Sequence, residues 1–232
     1  MLAARALAAL TIGAAMMFEA WAFMMPHQDP MDVLILVNKY NRAPSVPLTL
    51  VKPDVTPTKE AFSENIYMRP EAAEALESLF DAAQADGITL YATSGFRSYS
   101  TQKAIFERKL ERMSEKAANA SVAKPGYSEH QTGLAMDVEG HSSLGSGLVE
   151  DFGNTPEGQW LAAHAHEHGF ILRYPKDKTQ ITGYIYEPWH IRYVGHDAAA
   201  QIYAQNWTLE EYLLNVRADR VQFLEGGAID HE

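Results

Sequence analysis

The chain has 232 residues, 47% of them hydrophobic, which suffices for one compact domain with a substantial core. Its formal net charge of −11 argues against a nucleic-acid or anionic-surface partner, since phosphate recognition needs clustered Lys and Arg. With no cysteine, disulfides and thiolate metal sites are excluded, and any zinc site must be built from His, Asp and Glu.

Residues 1–25 stand apart. Arg5 is their only basic charge, Ala6 to Met17 is an apolar run, and Ala20-Trp21-Ala22 has the small-x-small pattern of a cleavage point. An export signal is expected here, with an uncleaved N-terminal membrane anchor as the alternative. Residues 26–60 are expected to form an extended connector on the surface, because Pro44, Pro47, Pro53 and Pro57 disfavour helix. Within it, Val33 to Val37 has strand character. The folded domain is expected over residues 61–225. Pro70 suits a first helical turn, and Ala72, Ala75, Leu76, Leu79, Phe80 and Ala83 recur at helical spacing, predicting a helix over 70–86 closed by Gly87. A strand over Ile88 to Ala92 then leads into Thr93-Ser94-Gly95-Phe96-Arg97-Ser98-Tyr99, and a second, serine-capped helix is predicted over 100–118.

The chain's chemistry centres on Ser128-Glu129-His130-Gln131-Thr132-Gly133-Leu134-Ala135-Met136-Asp137. Residues 134–138 read as a strand on which Ala135 and Asp137 share a face. A lone inward carboxylate needs a partner, because an unpaired buried charge is costly; a metal ion, an arginine or a set of backbone amides would serve. Arg97, at a strand-to-helix turn, is suited to receive a carboxylate in bidentate fashion, though a solvated surface arginine is the bland alternative. Further ligands come from Glu187-Pro188-Trp189-His190, where a strand is expected to begin at about Trp189 because Pro188 cannot donate in a sheet. Glu187 then lies in the approach to that strand, and a turn or bulge near Pro188 is needed to bring it to the same site as His190. A catalytic zinc takes three protein ligands and an open position for water. His130, Asp137 and His190 supply three, leaving Glu187 as a general base. The competing readings are a packed core histidine at 190 and a surface carboxylate at 187.

Together these motifs resemble those of the zinc D-alanyl-D-alanine carboxypeptidases of the VanY type, in the LAS peptidase superfamily. The likeness runs from about residue 33 to 205 and rests on Ser94 to Tyr99 with Gln102, Ser128 to Asp137, and Glu187 to His190. It implies that His130, Asp137 and His190 bind Zn2+, that Glu187 is the catalytic base, and that Arg97 lies near the scissile carbonyl or the substrate carboxylate. Gln102 and Ser128 match positions that hold the C-terminal D-alanine, and Tyr99 and Trp189 are expected at the substrate.

Two decoys are set aside. His164, His166 and His168 read as the end of a helix, where the dipole favours histidine without a metal, and no Glu stands at HExxH spacing. Gly126-Tyr127-Ser128 lacks the second glycine of a nucleophile elbow. Residues 141–155, with Gly145, Gly147 and Gly153, read as a mobile loop beside the metal strand, and Thr208-Leu209-Glu210-Glu211 as the capping-box start of a last helix. The expected fold is α+β, a small antiparallel sheet bearing zinc on one face with helices on the other, hedgehog-signalling-domain-like. The expected activity is hydrolysis before a C-terminal D-alanine of a peptidoglycan stem peptide, outside the cytoplasm, by a monomer. The alternatives are an L,D-carboxypeptidase, a stem-peptide endopeptidase, or a non-catalytic wall-binding module.

Overall fold

The structure, a computed structural model, describes residues 29, 31–45, 48–58 and 66–216. The expected export signal lies outside the described residues, among which no helix is long and apolar enough to cross a membrane. Helix α1 (Pro70–Ala85) starts on its proline and buries Ala72, Ala73, Ala75, Leu76, Leu79 and Ala83, the stripe that the sequence periodicity predicts. Strand β1 (Leu90–Ser94) begins two residues later than Ile88. The predicted helix over 100–118 is two helices, α2 (Tyr99–Leu110) and α3 (Glu115–Ser121). Each has its own serine cap: Ser98 Oγ accepts from the Thr101 amide at 3.1 Å, and Ser114 Oγ from the Ala117 amide at 3.4 Å. A serine inside a helical pattern competes for backbone amides, so Ser114 restarts the helix rather than sitting within it.

Strands β2 (Ala135–Gly140), β3 (Phe170–Tyr174) and β4 (Glu187–Tyr193) complete a four-stranded antiparallel sheet in the order β1-β2-β4-β3. Helix α4 (Pro156–His164) precedes β3, the short α5 (Thr179–Thr182) precedes β4, and α6 (His196–Gln205) and a helix over 209–216, α7, follow it. Register divides the two faces of the sheet. Met136 pairs with Ile191, which pairs with Leu172, and this face packs with α1 into the main core. One step along each strand, Ala135 pairs with Arg192 and Asp137 with His190, so the other face carries polar groups, as the alternation predicts. Beyond them, Ile171, Leu36 and Val194 pack with α6 and α7 in a second apolar cluster.

Three expectations fail in detail. Residues 33–37 form no strand, yet Ile35, Leu36 and Val37 are buried, so this stretch is part of the core rather than a surface connector. Its carbonyls are satisfied by a side chain: Arg192 Nη2 donates to the oxygens of Val33 and Ile35, each at 2.8 Å. Residues 141–155 are not a free loop, since they hold 3-10 turns at His141–Ser143 and Glu150–Asn154 and insert Phe152 into the core. And β4 begins at Glu187, not at Trp189. The capping box is as expected, with the Thr208 amide donating to Glu211 at 2.7 Å and the Glu211 amide to Thr208 Oγ1 at 3.2 Å.

The polar face rests on a buried ion network. Arg173 donates to Glu129 Oε1 at 2.7 Å and to both oxygens of Glu210 at 2.7 and 2.9 Å, and Arg192 donates to Glu129 Oε1 at 2.5 Å. Asn38 donates to Glu210 Oε1 at 3.2 Å. Two guanidiniums thus face two carboxylates with no solvent exposure at the Arg173, Glu129, Glu210 and Arg192 side chains. Desolvation makes such a network no large source of net stability, but losing one member leaves an uncompensated charge. Arg192→Met is therefore expected to cost about 3–5 kcal/mol in urea unfolding, leaving Glu129 short of one partner and two carbonyls without a donor.

Candidate metal centre

Three tight pieces of backbone set the site. Gly95 follows β1, and a Cβ there would lie 2.6 Å from the Tyr67 carbonyl oxygen, so only glycine lets the Arg97 turn approach so closely. The 3-10 turn Glu129–Thr132 presents His130 and ends at Gly133, whose φ of 70° is left-handed. The antiparallel pairing of Asp137 with His190 then places these two side chains directly opposite on the polar face.

His130 Nδ1 sits 2.7 Å from the Gly95 carbonyl, which fixes the proton there and leaves Nε2 turned to Asp137 Oδ2 at 3.3 Å. His190 Nδ1 lies 2.9 Å from Asp137 Oδ1, while its Nε2 lies 3.3 Å from Glu129 Oε2. One donor atom from each of His130, Asp137 and His190 lies within 4.8 Å of the others, and all three residues are buried. Two imidazoles and a carboxylate are a donor set suited to zinc. The set also draws positive charge: Arg97 Nη2 bonds Asp137 Oδ2 and lies 2.9 Å from His130 Nε2, the atoms that would face an ion. The residues therefore fit a divalent cation.

Electrostatics separate the two histidines. Burial and the Arg97 guanidinium lower His130 to about 4. Burial disfavours the His190 imidazolium too, but hydrogen bonds to Asp137 and Glu129 prevail and raise it to about 9. Burial alone would push Asp137 up, yet His130 and Arg97 beside it hold its carboxyl well below the usual range.

Glu187 reaches the site through an irregular pairing. Leu172 pairs with Ile191 and Tyr174 with Glu187, so two steps along β3 match four along β4. The surplus is a bulge holding Pro188, whose missing N–H is no loss there, and it meets the requirement set by the sequence spacing. Glu187 is buried, and desolvation pushes its carboxyl up to about 8, with Asp137 and Glu129 adding to the rise and His190 and Arg97 opposing it.

His130, Asp137, His190 and Glu187 share a cleft of about 460 Å³ with Arg97, Gln102, Ser128 and Trp189. Gln102 is no surface helix residue: it is buried, accepts from Arg97 Nη1 at 3.4 Å and donates to the Ala123 carbonyl at 2.8 Å. Arg97 is also held by Ser94 Oγ at 2.9 Å. Tyr99, half exposed as the first residue of α2, lines a neighbouring cavity that shares Arg97 with the metal cleft. Sequence reasoning missed Glu129, Tyr174 and Tyr184. The last two line the cleft, and the Tyr174 ring lies 4.9 Å from that of His190. Arg173 and Arg192, charges inside apolar strands, were the available signal that a buried anion had to exist. The histidine cluster is structural: His166 stacks on Tyr203, His168 meets Ser78 Oγ at 2.9 Å, and among the described residues only His130, Asp137 and His190 converge as a ligand set.

The profile of the VanY family, described as D-alanyl-D-alanine carboxypeptidase, matches residues 65–196. The D-alanyl-D-alanine carboxypeptidase of Enterococcus faecalis (strain ATCC 700802 / V583) is 39% identical over 191 residues, spanning 78% of this chain and 65% of that protein. Among solved structures, the LdcB LD-carboxypeptidase is 48% identical with a TM-score of 0.74, over 80% of this chain and 87% of that one. A mutant of the D,D-pentapeptidase VanY from a VanB-type vancomycin resistance cassette, in complex with Zn(II), is 37% identical with a TM-score of 0.66, over 78% of this chain and 98% of that one. The chain belongs to the VanY family of D-alanyl-D-alanine carboxypeptidases, and it is a zinc carboxypeptidase.

Proposed function

We propose that the enzyme removes the C-terminal D-alanine from peptidoglycan stem peptides outside the cytoplasm, with His130, Asp137 and His190 as the zinc ligands. The observation that carries this reading is the convergence of three buried ligand atoms beside a buried Glu187 in a single cleft. Zinc held by His130, Asp137 and His190 would polarise the scissile carbonyl and lower the pKa of a bound water to about 7. Glu187 takes the proton of the attacking water and returns it to the leaving amine. A carboxyl held near neutrality by burial is suited to both transfers, because accepting and donating then cost little. Arg97 stabilises charge on the carbonyl oxygen or grips the terminal carboxylate, held in reach by Ser94 and Gln102. Gln102 and Ser128, both buried against the cleft, take the D-alanine end, and Trp189 forms part of its wall.

The likeness to LdcB supports a second reading, in which the residue ahead of the scissile bond is an L-amino acid and the substrate is the tetrapeptide. Pentapeptide and tetrapeptide stems separate the two. Release of one D-alanine from the pentapeptide, with the tetrapeptide left intact, is expected; conversion of tetrapeptide to tripeptide would instead establish the L,D activity.

A chelator is expected to abolish D-alanine release, and added zinc to restore it. Glu187→Gln should keep stoichiometric zinc by metal analysis and lose turnover by about 10²–10⁴-fold. Zinc affinity should rise with pH: His190 titrates at about 9, so at lower pH its proton must leave before Nδ1 can bind metal. Chelator competition at pH 6 and pH 8 checks the sign, and a pH-independent affinity would remove His190 Nδ1 from the ligand set.

A further inference from the structure

We propose, building on the zinc site above, that Glu129 is a positioning residue for the metal. Its carboxylate accepts the Nε2 proton of His190, and Nδ1 is thereby left as the ligand atom facing Asp137 and His130.

The geometry divides the carboxylate between two tasks. Oε1 receives Arg173 at 2.7 Å and Arg192 at 2.5 Å, and Oε2 alone turns to His190 Nε2 at 3.3 Å. Neither arginine is free to follow a shift of Glu129. Arg173 is clamped by both oxygens of Glu210, and Arg192 by the carbonyls of Val33 and Ile35 and by its donation to the Tyr193 oxygen at 3.0 Å. Glu129 is buried between them and stays an anion, so it is fixed in both place and charge.

The two ligand histidines are therefore backed differently. His130 rests on a neutral carbonyl, that of Gly95, and His190 on a carboxylate. An anion behind an imidazole fixes its tautomer and raises its basicity as a ligand, and loss of such a partner weakens metal binding by about 10–100-fold. A purely structural role for Glu129, as the hub of the ion network, would have no such consequence. The face-to-face arrangement also ties the metal to distant chain segments. Through Arg192 the same carboxylate is linked to residues 33–35, and through Arg173 to α7.

The test compares Glu129→Gln with Glu210→Gln. Both remove one anion from the same network, and both are expected to lower the melting temperature, but Glu210 touches no metal ligand. Zinc affinity is measured by competition with a chromophoric chelator. Glu129→Gln is expected to bind zinc about 10–100-fold more weakly than the wild type, with Glu210→Gln close to the wild type. Equal losses in the two variants, or no loss in Glu129→Gln, would overturn the proposal. Should Glu129→Gln fail to fold, long-range 1H–15N spectra of the wild-type zinc protein decide: an Nε2–H tautomer at His190 supports the assignment, and an Nδ1–H tautomer overturns it. A wild-type protein that binds no zinc at all would sink the metal site itself, and the two failures are thereby told apart.

Discussion

Glu129 lies with no solvent exposure between two guanidiniums and an imidazole, and the polar face of the sheet is arranged to make that burial tolerable. A carboxylate removed from water must be met by charge and by hydrogen bonds, and Arg173, Arg192 and His190 supply both. Each of those partners then needs satisfaction of its own. Arg173 calls for Glu210 and so fixes α7; Arg192 calls for the carbonyls of residues 33 and 35 and so fixes the N-terminal stretch. Elements far apart in the chain are held by the requirements of one anion.

The same face holds a second buried anion, Asp137. It is paired in the sheet with His190, and its two oxygens face the two imidazoles from opposite sides. A cluster rich in donor atoms and sheltered from water attracts a cation. Arg97 already lies against it and is restrained there by Ser94 and Gln102 rather than by the cluster alone. An arginine held in this way is placed to serve a developing negative charge without reorganising, which is how preorganised charge lowers a barrier.

Glu187 depends on an irregularity. On a regular strand, residues three apart face opposite sides, and Glu187 would point away from the site of His190. The bulge against β3 reverses this, and Pro188 sits where a ladder hydrogen bond is not required. Burial then raises the carboxyl to about 8, so a backbone defect sets both the position and the proton affinity of Glu187.

Composition and motif spacing pointed to the α+β class, the stripe of α1, the alternation in β2, His130, Asp137 and His190 as a candidate ligand set, and the need for a turn or bulge near Pro188. These are local matters, written in periodicity and in residue types that have few uses. Tertiary structure decided the rest. It placed residues 33–37 in the core without a strand, because a guanidinium from β4 took over their carbonyls. It split the second helix at Ser114 and seated Tyr99 in a cavity neighbouring the metal cleft. Above all it gave Glu129 its partners, 44 positions away at Arg173 and 63 away at Arg192, and no sequence window contains such a contact. What a buried charge does depends on which groups surround it, and those neighbours are chosen by the fold.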